Sequence, residues 1–511
     1  MPKKINRRHF LKQSALGASA LITGPLWYDL LFAQQIPAPS PVLFEDHFGV
    51  TYEDIKKILN ITLSKGGEFS EIFLEYKIYN YISMEEDIIK ETAENITLGA
   101  GIRVISGEKT GYGYSNDLSF ESMEKAALTA VSIANSPTTI QIKPLFPIEI
   151  PKNYYLISLP VHNEVLSKKI EMVKEAYLAA KNYDPKIKKA RAYLQDEIQY
   201  VTIANSEGII VSDARPLVRL LCVSIAEKNG QKDSGYFGGG GRVGMEYFIK
   251  KLTPKKIGEK SAEEAVQLLE AVEAPAGEMP VILAPGHSGV MVHEAVGHLL
   301  EADFNRKKTS IFWDKMGKQV GNPQVTIYDN PTIPNFRGSL NADDEGTIPK
   351  KTLLIEKGIM KGLLQDKLSA KIMKMPLTGN GRRENYSFIP IPRMTNTYID
   401  RGEYDPEEII KSVKKGFYAY KYRGGQVEDS GKFTFSISSG YLIEDGKLTT
   451  PVKQATLIGT NIDILNKIVM VGSDLKFGMQ TGTCGKNGQA APVTNGCPTI
   501  KISKMTVGGK K

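Results

Sequence analysis

The chain has 511 residues, enough for two to four domains with substantial cores. Its net charge is +8, yet residues 1–34 hold five basic groups against one acidic; the remaining excess is spread thinly, which argues against a dedicated nucleic-acid surface. Three cysteines in so long a chain do not make a disulfide scaffold.

Near the start, Asn6-Arg7-Arg8-His9-Phe10-Leu11-Lys12 resembles a twin-arginine export signal and precedes a mildly apolar stretch. Gly24-Pro25 interrupts that stretch, so residues 1–34 read as a signal peptide cut near Ala33 rather than a spanning helix. The expected destination is periplasmic or otherwise extracytoplasmic, with no permanent membrane span once the signal is removed. Residues 35–45, which include Ile36-Pro37-Ala38-Pro39-Ser40-Pro41, form an extended linker.

Residues 46–65 read as a helix, and 71–81 as a strand in which Ile72, Leu74, Tyr76 and Ile78 alternate. Helices are expected at 119–135 and 163–182, with strands around 199–211 and 217–226. Residues 46–260 then form a mixed α/β amino-terminal domain. The glycine run 238–241 lacks phosphate-loop spacing and reads as a hairpin or junction loop. A helix at 260–273 and a break at Ala274-Pro275-Ala276-Gly277 mark the boundary. Beyond it, residues 274–509 form a β-rich domain of short alternating segments divided by Gly, Pro, Asn and Asp. Residues 405–416 form a surface helix, and 432–438 an interior strand, with a peptide-accepting sheet edge as the alternative. The fold class is α+β, with a metal-binding helix embedded in the second domain.

That helix is His293-Glu294-Ala295-Val296-Gly297-His298. Three of the chain's six histidines fall between positions 287 and 298. Two imidazoles with a carboxylate beside them supply most of a hydrolytic zinc site. The spacing is not the commoner H-E-x-x-H, because residues five apart on a straight α-helix point about 140° away from each other. A π-bulge would realign them, and Gly297 lies where a backbone irregularity costs least. Val292, Ala295, Val296 and Leu299 make an apolar face that anchors the segment in a core. Glu301 and Asp303 follow closely enough to orient the ligands. The plainer alternative has His293 capping a buried helix, with Glu294 and His298 an i,i+4 pair on its surface.

A third ligand must come from elsewhere. Cys222 lies in an apolar, strand-like run and Cys497 precedes Pro498. Cys484 sits in Gly482-Thr483-Cys484-Gly485-Lys486, where a nearby lysine would favour the thiolate, and is the expected ligand. A buried inert thiol or a Cys484–Cys497 disulfide remains open on spacing.

The stretch from Pro285 to Asp303 resembles the TldD/PmbA family of peptidases, in its zinc-bearing TldD branch. So do Asp343-Asp344-Glu345-Gly346-Thr347, Thr378-Gly379-Asn380-Gly381-Arg382-Arg383, Pro392-Arg393-Met394-Thr395-Asn396-Thr397-Tyr398, Gly424-Gly425-Gln426-Val427, the Cys484 loop and Thr506-Val507-Gly508-Gly509. The resemblance spans nearly all of residues 275–509 and is weaker before them. It implies one zinc per subunit held by His293, His298 and Cys484, and Glu294 as general base. It further implies short or unfolded peptides as substrates, and a homodimer or a heterodimer with a family relative. His287 stands where a tryptophan or another non-ligand residue is expected. Two other functions fit the residues: a non-catalytic peptide-binding partner, and another zinc amide hydrolase.

Overall fold

The structure is a computed structural model that describes residues 47–132, 140–155, 157–428 and 430–509. The expected signal peptide, its cleavage point and the linker lie outside the described residues.

The first half is built on one long antiparallel sheet. Helix α1 (Tyr52–Leu63) opens on a capping box in which the Thr51 hydroxyl accepts the Asp54 N–H and the Asp54 carboxylate accepts the Thr51 N–H. Strands β1 (Phe69–Glu85), β2 (Ile88–Ser106) and β3 (Lys109–Ser115) follow, then α2 (Phe120–Val131) and α3 (Leu166–Lys181). Next come β4 (Ile187–Asn205), β5 (Ile209–Lys228), β6 (Gln231–Gly241) and α4 (Pro254–Leu269). The spatial order is β3–β2–β1–β4–β5–β6. Even-numbered β1 residues bury against helices: Ile72 and Leu74 beneath α1 and α2, Ile82 and Met84 beneath α3 and α4. On the opposite face, Phe73, Val201, Ile203 and Val211 pack on Ala342 of the second half.

The glycine run differs from expectation: it is strand, not loop. Gly238 to Gly241 pair residue by residue with Leu221 to Val218. A Cβ on Gly240 would lie 2.0 Å from the Val218 carbonyl, so bare backbone is what lets the edge lie this close. Helix α4 also starts earlier than expected, at Pro254, where the Thr253 side chain caps it and proline occupies the first turn.

The second half is sheet-rich. Strands β7 (Gly277–Leu283), β8 (Lys415–Val427), β9 (Lys432–Glu444), β10 (Lys447–Thr460) and β13 (Ile500–Gly508) form a closed ring, because β13 pairs with both β7 and β10. The small hairpin β11 (Thr483–Lys486) and β12 (Gln489–Pro492) stands apart as its own two-stranded sheet. β9 is paired on both sides, so residues 432–438 are interior strand and the sheet-edge alternative falls. The surface helix is short, Pro406–Lys411. Helical segments from His287 to Leu300 share one core with the ring, through Val292, Ala295, Val296, Leu299, Phe417 and Phe435. Among the described residues, no helix is long and apolar enough to cross a membrane.

Candidate metal centre

Local backbone geometry makes this site possible. After a single α-turn at Val290–Val292, the chain enters a π-helix over His293–Gly297, then a 3₁₀ turn at His298–Leu300. The His298 N–H donates to the His293 carbonyl, an i→i+5 bond. One π-turn therefore brings the two rings together on one side, edge to face, with centroids 5.0 Å apart. Carbonyls displaced from the regular ladder find side-chain donors: Asn461 Nδ2 serves Ala295, while Asn305 Nδ2 and Ser310 Oγ serve Leu299.

Gly297 is needed for a different reason from the one expected. Its backbone is ordinary helix, φ −56° and ψ −53°. A Cβ there would meet the Met394 sulfur at 2.0 Å, so close packing demands the glycine, not an unusual backbone.

Hairpin β11–β12 brings Cys484 to the histidines from 186 residues away, and its Sγ lies 3.2 Å from His298 Nε2. Donor atoms of His293, His298 and Cys484 all lie within 4.8 Å of one another, the one such group among the described residues. Glu294 places Oε2 at 3.7 Å from the same His298 nitrogen, with its side chain 22% exposed, so it borders the cluster from the solvent side. All three cysteines are free and buried, which removes the Cys484–Cys497 disulfide alternative. His287 is not in the cluster; its Nδ1 accepts the Tyr422 N–H at 3.2 Å, and burial with Lys421 nearby pushes its pKa down to about 4.

Electrostatics couple these groups closely to one another. Burial opposes ionisation of the Cys484 thiol, but His293 and His298 outweigh it and pull the pKa down to about 4. Burial likewise opposes protonation of the rings, yet Cys484 raises His293, and Glu301 with Cys484 raises His298 well above the ordinary value. Lys486 is not the group that favours the thiolate. It pairs with Glu301 at 2.9 Å and Asp303 at 2.7 Å, and so docks the Cys484 hairpin onto the helical segment. Glu301 Oε2 in turn lies 3.1 Å from His298 Nδ1. Although burial would raise it, Lys486 and His298 hold the Glu301 carboxyl down to about 2.

Two arginines that sequence reading missed complete the mount. Arg393, fully buried, donates to the Cys484 carbonyl at 2.6 Å. Arg337 donates to the Gly482 carbonyl at 2.7 Å and to Thr483 Oγ1 at 3.2 Å. Arg393 lies in a motif already singled out, but nothing in the residue types signalled that it would reach a backbone carbonyl 91 positions away.

The donor set fits zinc. Two imidazoles and a thiolate are the ligand types the ion prefers, and three protein donors leave one position open. The buried His293 Nδ1 has no hydrogen-bond partner, as expected of a ring nitrogen kept for something other than a protein acceptor.

With fold and geometry in place, the class follows. Residues 70–134, 161–269 and 276–509 match domain 1, the central domain and the C-terminal domain of the PmbA/TldA metallopeptidases, and the chain belongs to this TldD/PmbA family. Among its relatives is the "Metalloprotease TldD homolog" of Haemophilus influenzae, 41% identical over 89% of this chain and 96% of that protein. The "Zinc metalloprotease TldD homolog" of Saccharolobus solfataricus is 28% identical over 87% and 97% of the two chains. Of solved structures, TldE from Thermococcus kodakarensis shares the fold with a TM-score of 0.69, at 20% identity, covering 89% of this chain and all of that one.

Proposed function

We propose that this protein is a zinc-dependent peptidase acting on short or unfolded peptides, with His293, His298 and Cys484 holding the ion and Glu294 as general base. The observation that carries the reading is the convergence of a distant thiol and two imidazoles on one point, with a part-exposed carboxylate 3.7 Å from the nearer ring nitrogen. Zinc, when bound there, supplies Lewis acidity that polarises a carbonyl and brings the pKa of water down to about 7. Glu294 Oε2 takes the proton from the attacking water and returns it to the departing amine. Glu301, through His298 Nδ1, fixes which ring nitrogen faces the cluster. Lys486 keeps that carboxylate ionised and holds the hairpin in place. The names of the relatives support the peptidase class.

Metal analysis and peptide assays test the reading together. The purified chain is expected to carry one equivalent of zinc that His293→Ala loses. Glu294→Gln should keep the metal while turnover of unstructured peptides falls by about 10²–10⁴-fold. An active Glu294→Gln variant puts the base elsewhere, and turnover confined to small amides makes the chain a different zinc amide hydrolase.

A further inference from the structure

Three buried arginines, Arg103, Arg215 and Arg383, each bond a carboxylate. A second group of arginines does not. Arg219 lies on β5 opposite Gln195 of β4, and both turn away from the helices that Leu194 and Leu220 pack against. The Arg219 Nε donates to Gln195 Oε1, and its Nη1 donates to the Thr481 carbonyl at 3.1 Å. Arg337 takes the next carbonyl of the same loop: its Nε donates to Gly482 at 2.7 Å and its Nη2 to Thr483 Oγ1 at 3.2 Å. Two guanidinium groups thus grip consecutive peptide groups just ahead of Cys484.

All of these partners are uncharged, and among the described residues neither guanidinium forms an ion pair. Arg242 and Arg382, whose side chains likewise bond only carbonyls, add to the local charge. Burial, then Arg219, pushes the Arg337 guanidinium down to about 9; Arg242 and Arg382 act the same way, and Glu197 opposes them. Holding a loop requires donors, which asparagine or glutamine supplies without charge. Positive charge drawn away from water with no counter-charge is costly, and an arriving anion relieves that cost. Two nitrogens are left to receive one. Arg219 Nη2 and Arg337 Nη1 have no protein partner among the described residues, and neither is sealed from solvent. Arg219 is itself half-buried, beside a Gln195 whose Nε2 donates to the Tyr79 hydroxyl at 2.6 Å.

We propose that Arg219 and Arg337 form a subsite for a carboxylate of the peptide substrate, beside the loop that carries Cys484. A guanidinium pairs with a carboxylate through two parallel N–H bonds, a match that amides and hydroxyls do not offer. From Thr481 to Cys484 the chain spans at most about 11 Å, so the carboxylate belongs within about three or four residues of the scissile bond. The nature of the occupant rests on the peptidase reading, but its binding does not require turnover.

Equilibrium binding to the zinc-loaded Glu294→Gln chain, read by fluorescence anisotropy, is the test. A short dye-labelled peptide bearing one glutamate is compared with its glutamine counterpart, each with a free or an amidated C-terminus. A carboxylate should tighten binding by about tenfold or more, and added salt should shrink the difference. Preference for glutamate assigns the site to a side chain, and preference for the free terminus assigns it to the peptide end. Arg219→Gln should bring the ratio of acidic to neutral affinity close to one, while Arg219→Lys should keep part of it. Equal affinity for every acid and its amide overturns the proposal, as does an absence of binding by every acidic peptide. So does an Arg219→Gln variant that weakens both peptides alike and leaves their ratio intact, since Arg219 would then only hold the loop. A wild-type chain that cuts no peptide, while the glutamine variant still selects the acid, strikes the peptidase reading and leaves the anion subsite standing.

Discussion

Glu301 shows how much one buried carboxylate does here. It faces His298 Nδ1 on one side and Lys486 on the other, so it sets a ring and anchors a hairpin together. Replacing it with glutamine should weaken zinc affinity by about 10–100-fold, read by competition with a chelator. Zinc uptake should also depend on pH with a definite sign. Both ring pKa values are raised, so protons compete for the ring nitrogens: affinity is full above the raised values and is lost as pH falls through them. Cys484, at about 4, is already thiolate across the neutral range and contributes little to this dependence. Calorimetry in buffers of different ionisation enthalpy would count the protons released. Proton release that rises with pH towards the ordinary thiol range would contradict this assignment.

At the scale of elements, the π-turn is the device that turns an awkward spacing into a site. Gly297→Ala would drive a methyl into Met394 and should cost about 1–3 kcal/mol, with partial loss of bound zinc. On a Met394→Ala background the same change should be nearly free, and urea denaturation of the double-mutant cycle measures that coupling. The five-residue interval between His293 and His298 made this irregularity legible, since no regular helix aligns them. Cys484 could be singled out from its glycine-rich loop, and Glu301 from its nearness to the histidines. What composition did not reveal was who holds whom. Lys486 reads like an activating cation for its neighbour Cys484, yet in space it faces Glu301 and Asp303. Gly238 to Gly241 reads as a loop because glycine disfavours strands, and only a close neighbouring carbonyl explains its place in one. Thr253-Pro254 was a readable helix start that apolar periodicity alone passed over.

Across the whole molecule, buried ion pairs tie the long sheet to the second half. Arg103 on β2 bonds Glu71 at 2.8 Å and Glu345 at 2.6 Å, while Arg383 reaches back to Glu71 at 2.5 Å. Arg215 on β5 joins Asp213 at 3.1 Å to Asp344 at 2.5 Å. Two acidic and arginine-bearing motifs that stand out in the sequence thus clamp the halves together. Their pairing was not legible, because partners up to 312 positions apart meet only in the finished fold. Glu71→Ala strips Arg383 of this carboxylate and halves the neutralisation of Arg103. It should cost about 3–5 kcal/mol in chemical denaturation, since it leaves buried charge uncompensated.

The 186-residue interval between His298 and Cys484 has a bearing on biogenesis. A ribosome that has finished the π-turn has made only two donors, and the third is still unsynthesised. On the proposed ligand set, tight capture of an ion has to wait until the closing hairpin docks near the end of synthesis. A chain released short of Cys484 should fold much of its first sheet and yet fail to retain zinc, so with that ligand set metal retention would report on completed translation.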